Sequence, residues 1–509
     1  MSDFDRTARR LLTRTAETLI AAADQYDGLF PSVLTRDGAR IPPALGPAIE
    51  GQRDGDRSYP GNNLMHDHPL LRTLLGLDAL LGDTDYTPAV ERYLQRFATH
   101  CTATDSGLFP WGEHSFWNLV EDRPGNSYVF TRRAQRVIHD HLHAAPPWLW
   151  ERLWQYNAEA VTAFCRGLDR HYKNDARTEY IRHAPILGPC TRPAEGTHGE
   201  RSCDFPRHGG FYVVDWAFAW TKSGDAAFRE QIERMADYWW SRRHHPTNLL
   251  YTESRSRPWQ ERHRHVLHVG QTLSTAVSFL EAAELLAEPA PELAQVLEER
   301  GTVYAEAVVN APHDWANGRF LAAWTDPDAP EEDKPVRVRD ESERPADTPL
   351  PAEPPANGRY FTTWGSRYGG ASAASGPAVL CCGLYRRCAD ERFLRLARAV
   401  GEQYAPAHMP EPDAHIPAAD PGAVLALFAD LAELDDGSRR DHWLAAGRRL
   451  FDEVRQCYFD DDQPLPRYAT GQDTYESQQG SDQLLHGIAR LLAVSAGVAD
   501  TVPADYTRR

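Results

Sequence analysis

Three short segments place ligand-type and carboxylate-handling side chains in order along the chain. They are Trp111-Gly-Glu113-His114-Ser-Phe-Trp117-Asn118, His139-Asp140-His141, and Phe205-Pro-Arg207-His208-Gly-Gly-Phe-Tyr212. Imidazole and carboxylate together suit a divalent cation, guanidinium suits the carboxylate of an acidic sugar, and tryptophan offers a face to a sugar ring. Proline and glycine break any helix ahead of Glu113. Glu113 and His114 are therefore expected on a loop facing a cleft, with Trp111 or Trp117 as the stacking surface and Asn118 beside them. In the third segment two glycines allow close backbone approach, so that Arg207, His208, Tyr212 and Asp215 are expected at the entrance of an inner helix. His139, Asp140, His141 and His143 follow no tight pattern such as HExxH. A solvated polar turn is as good a reading of that segment alone.

Two clusters lie downstream. Arg255, Arg257, Arg262, His263, Arg264, His265 and His268 form the densest positive patch, fit either to grip a polyanion or to neutralise neighbouring acids. Arg359, Tyr360, Trp364, Arg367 and Tyr368 precede a Gly-Gly pair and are candidates for another wall of the cleft. The expected substrate-binding set is Trp111, Glu113, Trp117, Asn118, Arg255, Arg257, Tyr360, Trp364 and Arg367. Tyr475, Gln478 and Gln479 are further candidates of the same type.

The scaffold that must position these groups repeats a loose unit: an alanine- and leucine-rich helix, a short Gly-Asp or equivalent turn, and a second amphipathic helix. Copies begin near Leu74, Trp216, Ala276, Val379 and Ala423. Glycine can take the left-handed conformation that ends the first helix, and aspartate can cap the second. Unevenly spaced hairpins with long insertions suit a closed toroid better than a regular solenoid. The expected fold is all-α, an (α/α) barrel of six or seven helical hairpins. Residues 1–509 are read as one catalytic domain, with a proline- and acid-rich insertion at about 327–356 that has too little apolar content for a core.

The net charge of -18 over 509 residues argues against nucleic acid as the partner. No apolar stretch is long enough to span a membrane. The N-terminus lacks a basic start followed by an apolar run; Leu11 to Ala23 reads instead as an amphipathic helix. With eight cysteines and no CxxC spacing, reduced thiols and a cytoplasmic location are expected, or a periplasmic or secreted one if a leader was removed.

Over roughly residues 60–240 the ordered segments resemble the metal-dependent pectate lyases of polysaccharide lyase family two. The resemblance implies an (α/α) barrel and β-elimination of an acidic oligo- or polysaccharide. It also implies a divalent transition metal, manganese-like or nickel-like, held by His114, Asp140 and His208. Asp140 stands where the family has glutamate, and the stretch from about Thr178 to Cys203 departs from the family pattern. Arg207 matches the family's catalytic base, with Tyr212 as a substitute whose phenol needs a smaller pKa shift. Arg255, Arg257 and Arg367 are candidates for a second arginine. One rival is an inverting glycoside hydrolase on the same barrel, pairing Glu113 with Asp122 or Asp215. The other is a non-catalytic carbohydrate-binding toroid.

Overall fold

The computed structural model describes residues 2–50, 52, 55, 57–126, 137–140, 143–172, 177, 182–188, 205–251, 266–325, 354–365 and 373–508. Thirteen α-helices form among these residues: α1 (Asp3–Asp24), α2 (Leu64–Leu81), α3 (Thr87–Arg96), α4 (Pro147–Gly167), α5 (Pro206–Ser223), α6 (Ala226–Arg242), α7 (Val269–Leu286), α8 (Pro291–Val309), α9 (Ser375–Cys388), α10 (Glu391–Tyr404), α11 (Ala419–Leu434), α12 (Gly437–Tyr458) and α13 (Ser481–Ser495). They are of two kinds. On α10 the buried residues Phe393, Leu394, Ala397, Val400, Gly401 and Tyr404 recur at the spacing of one helical face, and the charged residues occupy the other. On α11 burial extends nearly all round, from Pro421 to Ala432. A helix apolar on every side must be enclosed by protein.

The packing follows from that difference. α5 packs on α7, α7 on α9, α9 on α11, α11 on α13, and α13 returns to α2. Outside this ring α3, α6, α8, α10 and α12 cover their preceding partners, and α1 covers α13. Between α2 and α5, Phe109 and Trp111 pack on Trp150 and Phe164 of outer helix α4. The protein is an all-α (α/α) toroid with long loop insertions, as its sequence pattern implies.

The Gly-Asp turn is realised most fully between α5 and α6. Gly224 is left-handed (φ 67°), and Asp225 accepts the Ala227 amide as the N-cap. Between α9 and α10, Ala389 takes the left-handed position (φ 54°) and Asp390 caps α10. The apolar run from Gly210 lies in α5, an inner helix. The N-terminal amphipathic segment is helical throughout α1, with Leu11, Leu12, Thr15, Leu19 and Ala22 buried.

Short strands stitch the loops at the site. β1 (Val33–Thr35) pairs with the late strand β10 (Thr474–Glu476). Next come β2 (Gly61–Asn62), β3 (Ser115–Asn118) and β4 (Arg123–Asn126) in one sheet, then the pair β5 (Ile138–His139) and β6 (Ala184–Pro185). β7 (Val266–His268), β8 (Leu321–Thr325) and β9 (Gly358–Tyr360) form the last sheet. Among the described residues no helix is long and apolar enough to cross a membrane. Of the expected insertion at 327–356, only residues 354–356 are described.

Candidate metal centre

Strand register assembles the site. β5 and β6 run antiparallel, with Ile138 opposite Pro185 and His139 opposite Ala184. One further step along this ladder sets Asp140 opposite His183. On the other side of Asp140, a parallel bridge joins it to Gly112, and the Glu113 amide donates to the Asp140 carbonyl (3.4 Å). Gly112 is required there. Its φ is 99°, and a Cβ would overlap the Asp140 carbonyl oxygen. The approach of these two backbones delivers Glu113 and His114 to Asp140.

His114, Asp140 and His183 each present a ligand atom within 4.8 Å of the others. His114 Nε2 lies 4.0 Å and His183 Nε2 3.5 Å from Asp140 Oδ2, and the two imidazole rings stand edge to face at 4.9 Å. His114 and Asp140 are fully buried, while His183 is partly exposed. Two charged groups surround them. Arg182 Nε lies 3.0 Å from Asp140 Oδ2, and its Nη2 lies 3.4 Å from Glu113 Oε2. Glu113 Oε2 is also 3.4 Å from His114 Nε2.

The electrostatics favour a cation-binding state. Burial pushes the Asp140 carboxyl up, but Arg182, His183 and His208 outweigh it and hold it well below the usual range. Burial lowers His183 to about 4 against the pull of Asp140, so the ring is neutral near pH 7. Burial raises Glu113, with the Asp140 charge adding to the effect and His114 and Arg182 opposing it. An ionised carboxylate and a neutral imidazole are the protonation states that metal ligands require. Two nitrogens and one oxygen form a mixed donor set that fits a transition ion better than calcium. Three protein ligands leave positions for other groups.

The structure redistributes the roles expected from sequence. His114 and Asp140 meet, but His183 completes the triad, not His208. His208 is buried against Phe205 (ring centroids 5.2 Å), close enough to Asp140 to help lower that carboxyl. Trp111 is no sugar platform. Its indole is fully buried and donates to His139 Nε2 (3.2 Å), and His139 Nδ1 pairs with His171 Nε2 (2.9 Å). His139 thus turns into the core behind the site. Trp117 is also buried and donates to Asp122 Oδ1 (3.0 Å). The Asn118 side chain accepts the Val120 and Glu121 amides and caps a turn. Tyr212 is buried beside His171 and Trp216. Glu113, expected to bind substrate, stands within the ionic cluster.

Arg207 lies partly exposed at the start of α5, its guanidinium 6.0 Å from the Phe205 ring. Arg182 lies 5.7 Å from the same ring, so two guanidinium groups flank one phenyl beside Asp140. Tyr360 packs under Arg319 (4.3 Å), and Trp364 donates to the His408 carbonyl and packs on Tyr404. Arg255, Arg257, Arg367 and His141 lie outside the described residues. The signal that could have revealed His183 is a second Arg-His pair, Arg182-His183, preceding Arg207-His208 in sequence.

A sequence profile of the family described as periplasmic pectate lyase matches residues 41–197. That span contains His114, Asp140, Arg182 and His183 and ends before Arg207. No curated protein matches the chain. Among solved structures, it is similar to an unsaturated glucuronyl hydrolase specific for heparin (TM-score 0.44, 10% identity, 97% of this chain and 99% of that one). Others are a sugar epimerase from a ruminal bacterium (0.45, 11%, 80% and 87%) and the GH76A alpha-1,6-mannanase from Salegentibacter sp. HEL1_6 (0.42, 10%, 97% and 100%). The profile match overturns the cytoplasmic placement expected from the N-terminus, since the matched family is periplasmic.

Proposed function

We propose that the protein is a carbohydrate-active enzyme, specifically a lyase that cleaves a uronate-containing, pectate-like glycan by metal-assisted β-elimination. We take residues 1–509 as its single catalytic domain. The observation that carries the reading is the convergence of His114, Asp140 and His183, within the span matched by the pectate lyase profile, beside two arginines that flank Phe205.

β-Elimination removes the weakly acidic proton at C5 of the uronate, breaks the C4–O bond and leaves a C4–C5 double bond, while the departing sugar oxygen takes a proton from water to become a hydroxyl. Negative charge spreads onto the carboxylate as the proton leaves, so fixed positive groups there lower the barrier. A divalent ion held by His114, Asp140 and His183 would supply Lewis acidity toward that carboxylate. Arg182 and Arg207 have different roles. Arg182 is tied to Asp140 and Glu113. Arg207 lies partly exposed at the start of α5, against the same Phe205 ring as Arg182. It is the residue assigned to take the C5 proton. Tyr212, packed behind the site against Trp216, is less suited to that role.

The test is a panel of uronic-acid polymers incubated with the protein and manganese or nickel, followed in the ultraviolet for the unsaturated product. Saturated products would move the assignment to an inverting hydrolase, which needs two carboxyl groups about 6.5–9.5 Å apart. The pairs expected for it are otherwise engaged. Asp122 bonds His100 and Trp117 at the surface, and Asp215 accepts from Trp150 (2.9 Å).

A further inference from the structure

Beside the Gly112 backbone, the start of α2, the turn before α13 and the segment 502–508 bring together a second set of polar side chains. His66 abuts the Gly112 backbone, and its ring stands edge to face with that of His143 (5.3 Å). Neither nitrogen of His66 has a side-chain partner among the described residues, although the residue is 1% exposed. Gln478 is 3% exposed, and among the described residues neither its amide oxygen nor its amide nitrogen is hydrogen-bonded. The Gln479 amide nitrogen and the Ser481 hydroxyl are buried in the same state, and Asp482, 0% exposed, receives no side-chain donor.

Into this set comes Arg508. Its Nη2 donates to the Gln478 carbonyl (3.3 Å), and its Nη1 reaches Gly480, where a Cβ would lie 2.8 Å from it. The neighbouring Thr507 carbonyl accepts the Ala144 amide (3.2 Å), which ties the segment to the loop that carries His143. The Arg508 charge acts on His66, His68, His143, Asp420 and Asp482. Yet Arg508 forms no ion pair among the described residues. Asp420 and Asp482 stand near it, their carboxyls raised by burial to about 7 and about 8 against the opposing pull of Arg508. Buried polar groups are ordinarily satisfied, and a group of them left open together calls for a ligand or water.

We infer that Arg508, Gln478, Gln479 and Ser481 form a carboxylate-binding sugar subsite next to the metal centre. The guanidinium would take a carboxylate, and the carboxamides and hydroxyl would take ring hydroxyls. The ligand class is an acidic monosaccharide unit. The inference rests on the proposed function for its biological sense, because a uronate glycan presents such a unit beside the one being cleaved.

The experiment is titration calorimetry of the full chain with D-galacturonate, with galactose and inorganic phosphate as separate arms. Galacturonate should bind, galactose should bind at least about tenfold more weakly, and Arg508→Ala should weaken galacturonate by at least about tenfold. Gln478→Leu, a change of similar volume, should weaken both sugars and guards against a folding defect in the arginine variant. His114→Ala should leave galacturonate binding at the subsite in place. Equal binding of galactose and galacturonate, or unchanged galacturonate binding in Arg508→Ala, would overturn the inference. So would phosphate binding that matches galacturonate and blocks it, since that describes a general anion hole. The two readings fail separately. Uronate cleavage with KM unmoved in Arg508→Ala sinks the subsite alone; galacturonate binding sensitive to Arg508, without unsaturated product from any polymer, sinks the lyase alone.

Discussion

Replacing Gly112 by alanine should dismantle the candidate metal centre without touching any ligand. Two costs arise at once. The backbone at φ 99° is left-handed, where an L side chain is disfavoured by roughly 1–2 kcal/mol. The new Cβ would also overlap the Asp140 carbonyl oxygen and lie 3.1 Å from its carbonyl carbon. Relief to ordinary van der Waals separation moves one backbone away from the other by on the order of 1 Å. Metal–ligand distances tolerate only about 0.2 Å, so a shift of that size parts His114 from Asp140. Gly82 supplies the control. It is left-handed too (φ 80°), but nothing lies within 4 Å of its virtual Cβ, so Gly82→Ala carries only the backbone cost. Urea denaturation should show both variants destabilised, Gly112→Ala by roughly 2–4 kcal/mol and Gly82→Ala by about half that. Calorimetric titration with manganese or nickel should show affinity reduced at least about a hundredfold in Gly112→Ala and unchanged in Gly82→Ala. A folded Gly112→Ala that binds the ion as tightly as the parent would refute the claim that this backbone contact sets the ligand geometry.

Four further outcomes can be checked. His183→Ala should reduce metal affinity far more than His208→Ala, about a hundredfold against tenfold or less by the same titration; the reverse order would restore the ligand set implied by sequence. Arg207→Lys should abolish turnover, read as initial rate of ultraviolet absorbance, with metal content unchanged; retained turnover with Tyr212→Phe inactive would transfer the base role to the tyrosine. Glu476→Gln should cost about 3–5 kcal/mol in urea denaturation, because Glu476 and Arg57 form a fully buried ion pair and the change strands the guanidinium. The buried carboxyls should subtract stability as pH rises from 6.5 to 8, read as the difference between the parent's melting profile and that of Asp482→Asn. Over that range the unfolded carboxyls are already ionised, while the buried carboxyls of Asp67 and Asp482, at about 7 and about 8, still shed protons in the folded state. Asp482 alone contributes at most about 2 kcal/mol across that window, and a melting profile whose pH dependence Asp482→Asn leaves unaltered would contradict it.

The inner and outer helices were legible because they obey a local rule. A stripe such as Phe393, Ala397, Val400 and Tyr404 can be read without knowing what it packs on, and so can an apolar run such as that of α11. The turns were legible in type but not in every residue. Ala389 occupies a left-handed position that glycine would fill more cheaply, and the following Asp390 cap keeps the hairpin intact. Aromatic residues misled for a physical reason. An indole serves equally as core or as a ligand surface, and what decides for Trp111 is the pocket formed by Phe97, Phe109, Trp150 and Phe164, drawn from three separate stretches of chain.

His183 shows where sequence reading stops. Asp140 and His183 are 43 positions apart, and they face each other only because two strands of two residues each adopt one register. Strands so short carry no periodicity to read, and a slip of one residue would turn His183 to the other side of the ribbon. The register is held by groups outside the strands: the Ile186 amide donates to the Val137 carbonyl (2.9 Å), and Trp111 and His171 fix the ring of His139. The tryptophan that sequence alone offers to a sugar thus has another task. It anchors His139, the residue next to Asp140, and through the strand pair it helps to keep Asp140 opposite His183. An aromatic core on one side and a glycine-enforced backbone contact on the other confine a buried carboxylate whose charge is held by Arg182. His114 and Asp140 can be picked out of the sequence by type, but their meeting with His183 depends on Trp111, Gly112 and His139, none of which need touch a metal.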